Sequence, residues 1–234
     1  RTLVPYPPGK PIAEVEREFG IRDSIKLASN ENPLGPSPKA IAAIANALAS
    51  LHRYPEGDCY YLREAVARRL EVPPEALIFG NGSNEIIELV ARTFLRPGDE
   101  AVMSEQAFVV YRLIVQAAGG RSRAVPLRAF THDVDAIAAA VTPQTRIVFL
   151  ANPNNPTGTI FFQRDWERLL SRLRSDVLVV MDEAYAEYVE DGSYPDSLAA
   201  LKAGRNVVVL RTFSKIYGLA GLRVGYGVGP PALV

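Results

Sequence analysis

VLVVMDEAY (Val177–Tyr185) and VVVLRTFSK (Val207–Lys215) decide the fold. Each opens on a short apolar run and breaks into polar residues able to carry chemistry. Runs this short, apolar and β-branched read as strands buried on both faces, the habit of parallel sheets.

Working outward, further strands are predicted at Ala76–Phe79, Glu100–Met103, Ser122–Leu127, Arg146–Leu150 and Val224–Val228. Helical patterns lie between them at Ser83–Phe94, Val109–Ala118, Val134–Ala140 and Arg164–Arg174. Strand–helix alternation implies a mostly parallel sheet of seven strands between helices, an α/β fold. The first third is helix and loop. Pro11 suits the first position of a helix that runs to Phe19 and stops at Gly20. NENPLGPSP (Asn30–Pro38) is non-regular because its prolines remove donors and fix φ. Ser37 then caps an Ala/Ile-rich helix running to Ala49, expected to be buried. Tyr60–Leu70 is a further amphipathic helix. No internal repeat or low-complexity segment is present.

The bulk numbers exclude several classes of function. Hydrophobic residues make up 48% of 234, enough for a sizeable core. Lys plus Arg and Asp plus Glu are 26 each, so no dedicated nucleic-acid surface or basic membrane-binding face is expected. The lone cysteine, Cys59, allows no intrachain disulfide and fits a reducing, cytoplasmic compartment. Arg1–Lys10 does not read as a signal peptide, and no apolar run approaches a membrane span.

Ligands of parallel sheets bind beyond the carboxyl ends of the strands, so residues there are the candidates. Lys215 follows one strand by a few residues and is a nucleophile if burial or cationic neighbours lower its pKa. Thr212, Ser214 and Arg223 supply donors suited to a phosphate. Asp182 ends another strand and serves equally as metal ligand, ribose binder or partner of a protonated ring nitrogen. Two histidines, His52 and His132, without His/Cys spacing make a transition-metal site unfavoured. GNGSN (Gly80–Asn84) is a glycine turn in which Ser83 opens a helix, giving either close packing or an anion site. NPNNPTG (Asn152–Gly158) is a rigid loop after a strand, either an ordinary turn or a mount for a directed amide.

In their order, NPNNPTG, DEAY and SKIYGLAGLR resemble fold-type I pyridoxal-phosphate aminotransferases of class II. Within that group, YPPGKP, RYPEG (Arg53–Gly57), GNGSNEII and RTFSKIYGLAGLRVGY, with NENPLGPSP, are similar to histidinol-phosphate aminotransferases. The resemblance runs from about Tyr6 to Gly229.

It implies that Lys215 holds pyridoxal 5′-phosphate as a Schiff base and carries the proton in catalysis. Asp182 pairs with the pyridinium nitrogen. Tyr185 and Asn155 bond the ring's phenolic oxygen. Ser83, Asn84, Thr212, Ser214 and Arg223 hold the phosphate. Phe108 stacks on the ring where the family often has tyrosine. Tyr54 reaches the cofactor of a partner subunit, and Tyr6 lines the partner's substrate pocket.

A cofactor-binding large domain over 36–234 follows an arm and linker over 1–35. The family's small C-terminal domain, with its carboxylate-binding arginine, is expected to be absent from this chain. The implied reaction is transamination of L-histidinol phosphate with 2-oxoglutarate, by a homodimer with shared active sites. Alternatives are an aromatic amino-acid aminotransferase, a threonine-phosphate decarboxylase-like enzyme, or a cofactor-binding fragment without full activity.

Overall fold

The computed structural model describes residues 9–234. Tyr6 and the first part of the proline-rich arm lie outside the described residues.

Seven strands form one sheet: β1 (Leu77–Asn81), β2 (Glu100–Ser104), β3 (Arg121–Val125), β4 (Thr145–Ala151), β5 (Leu178–Asp182), β6 (Val207–Thr212) and β7 (Val224–Val228). Their spatial order is β1-β7-β6-β5-β4-β2-β3. The pairs β2–β3, β2–β4, β4–β5 and β5–β6 are parallel, as the buried apolar runs predict. Only β7 runs against its neighbours, β1 and β6. A parallel return needs a crossover, usually a helix. The segment 213–223 between β6 and β7 holds one short 3₁₀ turn, Ala220–Leu222, and brings the chain back antiparallel.

The helices are α1 (Ile12–Phe19), α2 (Pro38–Ala47), α3 (Tyr60–Leu70), α4 (Ser83–Phe94), α5 (Val110–Ala117), α6 (Val134–Ala139), α7 (Gln163–Arg172) and α8 (Ser197–Lys202). Alternate strand residues face opposite layers. Val148, Leu150, Val179, Met181, Val207 and Val209 pack with Trp166 and Leu169 of α7 and Ile137 of α6. Ile147, Phe149, Leu178, Val180, Val208 and Leu210 pack with Ile86 and Ile87 of α4 and Tyr111 and Val115 of α5. Each such side chain contributes roughly 1.5–3 kcal/mol when fully buried.

The departures from expectation have local causes. Pro11 is the N-cap of α1, not its first residue. Ser37 caps α2 as expected, its side chain accepting from Ala40 N at 3.2 Å. Yet α2 buries no residue, and Ile41 is 52% exposed, which corrects the expectation of a buried helix. Ala/Ile patterning marks a face that wants cover without saying what covers it. Strands β4, β5 and β6 each run on into the first residues of the polar segments, to Ala151, Asp182 and Thr212. Helix α8, capped by the Asp196 side chain at Ala199 N, lacked a periodic signal because it has only six residues.

His132 lies in the interior at 5% exposure. Burial lowers its pKa from 6.5 to about 4, against the opposing pull of the Ala151 carbonyl. Between those pH values the unfolded chain binds a proton that the folded chain refuses. Stability is therefore full above pH 6.5 and falls as pH drops toward 4. His132 should remove about 3 kcal/mol over that window. The expected result for His132→Gln is a flatter dependence of Tm on pH between 6.5 and 4. An unchanged slope would rule the contribution out.

Candidate active site at the carboxyl edge of the sheet

The ends of β1, β4, β5 and β6 meet the start of β7 along one edge. Ala151 pairs with Asp182, Thr212 with Gly225, and Asn81 with Val224. A cavity of about 580 Å³ opens there. Ser83, Asn84, Phe108, Asn155, Asp182, Tyr185, Thr212, Ser214, Lys215 and Arg223 all line it, so the structure brings together every candidate named above except two. Tyr54 is fully exposed and not among the lining residues, and Tyr6 is not described.

Asp182 forms the floor. It is 5% exposed, one oxygen accepting the Tyr111 hydroxyl at 2.7 Å and the other the Ala184 N–H at 3.2 Å. Burial raises its pKa, opposed by Tyr111, Ala184 and nearby Lys215. A buried carboxylate with so little compensation is suited to a cationic partner. Tyr111 is pushed well up, first by burial and then by Asp182, so it stays a hydrogen-bond donor.

Lys215 is half-buried. Its Nζ donates to the Ser29 carbonyl at 3.2 Å and lies 5.5 Å from the centre of the Tyr185 ring. Burial lowers its pKa, with Arg223 assisting and Asp182 and Glu31 opposing. Among the described residues it forms no ion pair, so the amine is available as a nucleophile. The Tyr185 hydroxyl accepts from Asn30 Nδ2 at 2.9 Å.

Another part of the lining is suited to an anion. Helix α4 begins at Ser83 with no side chain capping its free N–H groups, and such a terminus attracts negative charge. Gly82, at φ 74°, precedes it; a Cβ there would lie 2.7 Å from Arg223 Nη2. The positive φ is what favours glycine, since the guanidinium could move aside. Gly225 of β7 approaches so closely that a Cβ would sit 2.3 Å from Ser83 N. Arg223 donates only to carbonyls, of Ala220 at 3.1 Å and Asn81 at 3.4 Å, and no carboxylate neutralises it among the described residues. Thr212 Oγ1 donates to Ser214 Oγ at 3.0 Å and accepts from Ser214 N at 3.1 Å, which fixes both hydroxyls in the lining.

Sequence reading missed Tyr111 and the segment Ser29–Glu31. Tyr111 follows Phe108 by three residues, and its N–H donates to the Phe108 carbonyl at 3.1 Å in the turn that leads into α5, which sets the two side by side. Their rings meet edge-on at 5.6 Å. Ser29–Glu31 runs into the proline-rich loop Asn30–Pro38, quoted above without a site role because no local pattern reveals where that loop lies.

An amine, a buried carboxylate and an uncapped helix start beside an arginine, gathered at the carboxyl edge of a largely parallel sheet, form a setting suited to a phosphate-bearing cofactor, as in aminotransferase-type folds. The chain belongs to the family of class I and II aminotransferases, whose model matches residues 22–234. More particularly, it is 56% identical over 234 residues to the histidinol-phosphate aminotransferase of Moorella thermoacetica, covering 100% of this chain and 61% of that one. It is 52% identical to that of an Anaeromyxobacter species, covering 100% and 64%. The chain thus spans about three-fifths of the length of these curated relatives. Among solved structures, histidinol-phosphate aminotransferase from Sinorhizobium meliloti in complex with pyridoxal-5′-phosphate is similar at a TM-score of 0.90 and 30% identity, over 97% of this chain and 61% of that one. Aspartate aminotransferase from Thermus thermophilus with maleate is similar at 0.84 and 26% identity, over 94% and 60%.

Proposed function

We propose that the chain is the cofactor-binding part of a pyridoxal-phosphate-dependent transaminase that moves the amino group of L-histidinol phosphate to 2-oxoglutarate in cytoplasmic histidine biosynthesis. The observation that carries this reading is the convergence of Lys215, Asp182, Tyr185 and Asn155 on one cavity whose lining includes the uncapped start of α4 beside Arg223. The substrate assignment is drawn from relatives that bear that name, and the cofactor from the related Sinorhizobium structure. Residues 1–35 act as arm and linker, and 36–234 as the large domain.

The residues fit the cofactor. Its phosphate suits an uncapped helix terminus beside Arg223, and its ring nitrogen suits a buried acid. When bound, pyridoxal phosphate supplies an aldehyde that takes up amines and a protonated ring that draws electrons from the substrate's α-carbon. Asp182 would accept the ring N–H and keep that proton in place, while Tyr111 holds the carboxylate in register. Tyr185 and Asn155 would donate to the ring's phenolic oxygen, and Phe108 would cover one ring face. Ser83, Asn84, Thr212, Ser214 and Arg223 would bind the phosphate. Lys215 would hold the group covalently, and its Nζ, freed when the amino donor takes its place, would take and return the substrate's α-proton.

The working protein is a homodimer. Leu27 and Leu34 at 90% exposure, Leu51 at 76% and Tyr54 at 101% leave apolar surface that a second copy covers. Tyr54 then reaches the partner's phosphate, and Tyr6 the partner's substrate. No nucleic acid or membrane takes part.

The test is a panel of amino donors on the full-length protein loaded with pyridoxal phosphate. Histidinol phosphate should exceed phenylalanine, tyrosine and aspartate in kcat/KM by roughly 10²-fold or more, the scale set by polar groups built to bind a polar substrate. A faster reaction with an aromatic amino acid would replace the substrate assignment. Failure of saturated protein to show a visible cofactor band would remove the cofactor.

A further inference from the structure

The β2–β4 ladder ends early. Its last registered pair is Val102 with Val148, although β2 continues to Ser104 and β4 to Ala151. The strands part at the edge where the cavity opens, and an imidazole spans the split. His132 Nδ1 lies 2.6 Å from Ser104 Oγ, and Nε2 lies 2.9 Å from the Ala151 carbonyl. A carbonyl only accepts, so Nε2 carries the hydrogen and Nδ1 accepts from the serine hydroxyl. The ring is held by these two bonds and packs edge-on against Phe161 at 6.0 Å.

His132 belongs to a turn that grips the asparagine loop on both limbs. At one limb it holds Ala151. At the other, the Phe130 carbonyl accepts from Thr159 Oγ1 at 2.7 Å. Ala129 and Phe130 pay for this by sitting at φ 50° and 63°, a region that L-residues avoid. The next carbonyl after Ala151, that of Asn152, accepts the Tyr194 hydroxyl from the other side. The Asn152 side chain closes the loop by bonding both N and O of Phe161 at 3.1 Å. Within these anchors stands Asn155, facing the cavity.

We infer that His132 and Tyr194 are positioning residues. His132 bridges β2 and β4 where their ladder has ended, Tyr194 fixes the next carbonyl, and together they hold the Asn152–Gly158 loop so that Asn155 meets its ligand without further ordering. A ligand-binding amide held in place beforehand loses less freedom on binding. The inference rests on the proposed cofactor reading for its functional arm, while its structural arm stands without it.

The experiment compares His132→Leu, His132→Gln and Tyr194→Phe in the full-length protein. Pyridoxal phosphate affinity is read by visible absorbance titration, amide hydrogen exchange is followed over 152–158 and over the remaining chain, and Tm is recorded. His132→Leu removes the donor and leaves the Ala151 carbonyl unpaired, so Kd should rise about tenfold. Exchange should quicken at 152–158 ahead of the rest. Glutamine keeps a donor at the Nε2 position and should stay within about threefold of the parent Kd. Tyr194→Phe, which leaves the ring's packing intact, should quicken the same amides. The inference is overturned if His132→Leu folds with unaltered Kd and loop exchange, if leucine and glutamine do equal damage, or if exchange rises evenly over the chain. Should the parent protein fail to take up the cofactor, the functional proposal falls, and the exchange arm still decides the clamp.

Discussion

Lys215→Ala is expected to abolish transamination, with a fall in kcat of roughly 10⁴-fold or more, the scale of losing a covalent nucleophile that also moves a proton. The fold should survive. Lys215 makes one side-chain hydrogen bond, to a carbonyl of a loop, and its amine is held below its ordinary pKa by burial. Removing it relieves a desolvated cation and leaves the strand it follows intact. The measurement is paired: single-turnover kinetics with histidinol phosphate, and the visible spectrum of the loaded protein. The band due to the covalent link should vanish, while phosphate-side binding by Arg223 and α4 keeps some cofactor bound. Retention of both band and turnover would assign the link to another residue.

Asp182→Asn should be the second-largest loss, with a fall in kcat of roughly 10²–10³-fold. The amide cannot hold a proton on a ring nitrogen as a carboxylate does. The change should cost little stability in the cofactor-free protein and can raise it. Burial already disfavours the charged form of Asp182, and asparagine has the same shape without that charge. Activity and Tm are thus expected to move apart: a collapsed kcat beside an unchanged or higher Tm. A Tm that fell in step with kcat would make Asp182 a structural residue.

The sheet was legible because β4, β5 and β6 are made of residues that have no other use: Val, Ile, Leu, Met and Phe in runs too short for helices. Their polar endings were legible for the same reason, since Asp182 directly after such a run, or Lys215 within a few residues of one, must lie near the edge of the sheet. Much of the rest depended on partners distant in sequence. The reversed direction of β7 follows from a short, nearly helix-free return of chain. Tyr111 resembles any apolar helix residue until Asp182 is found 2.7 Å from its hydroxyl. His132, read as one of two unremarkable histidines, gains its meaning only where β2 and β4 separate. The exposure of α2 lay beyond reach for a different reason: an apolar stripe reports that something covers it and never what.

The pairing of β7 with β1 has a consequence for how the site comes into being. Asn81 and Val224 are neighbours in the sheet, and Gly225 lies against the first N–H groups of α4. The anion cradle is therefore a seam between an early part of the chain and a late one. A ribosome delivers α4 long before the strand that completes its surroundings, and closing so long a loop is a slow step. Until Val228 has emerged, β1 has no strand partner and Arg223 has nowhere to point. Cofactor capture on this scaffold should wait for β7, and a phosphate held across the seam would fasten together two parts of the chain that lie far apart in sequence.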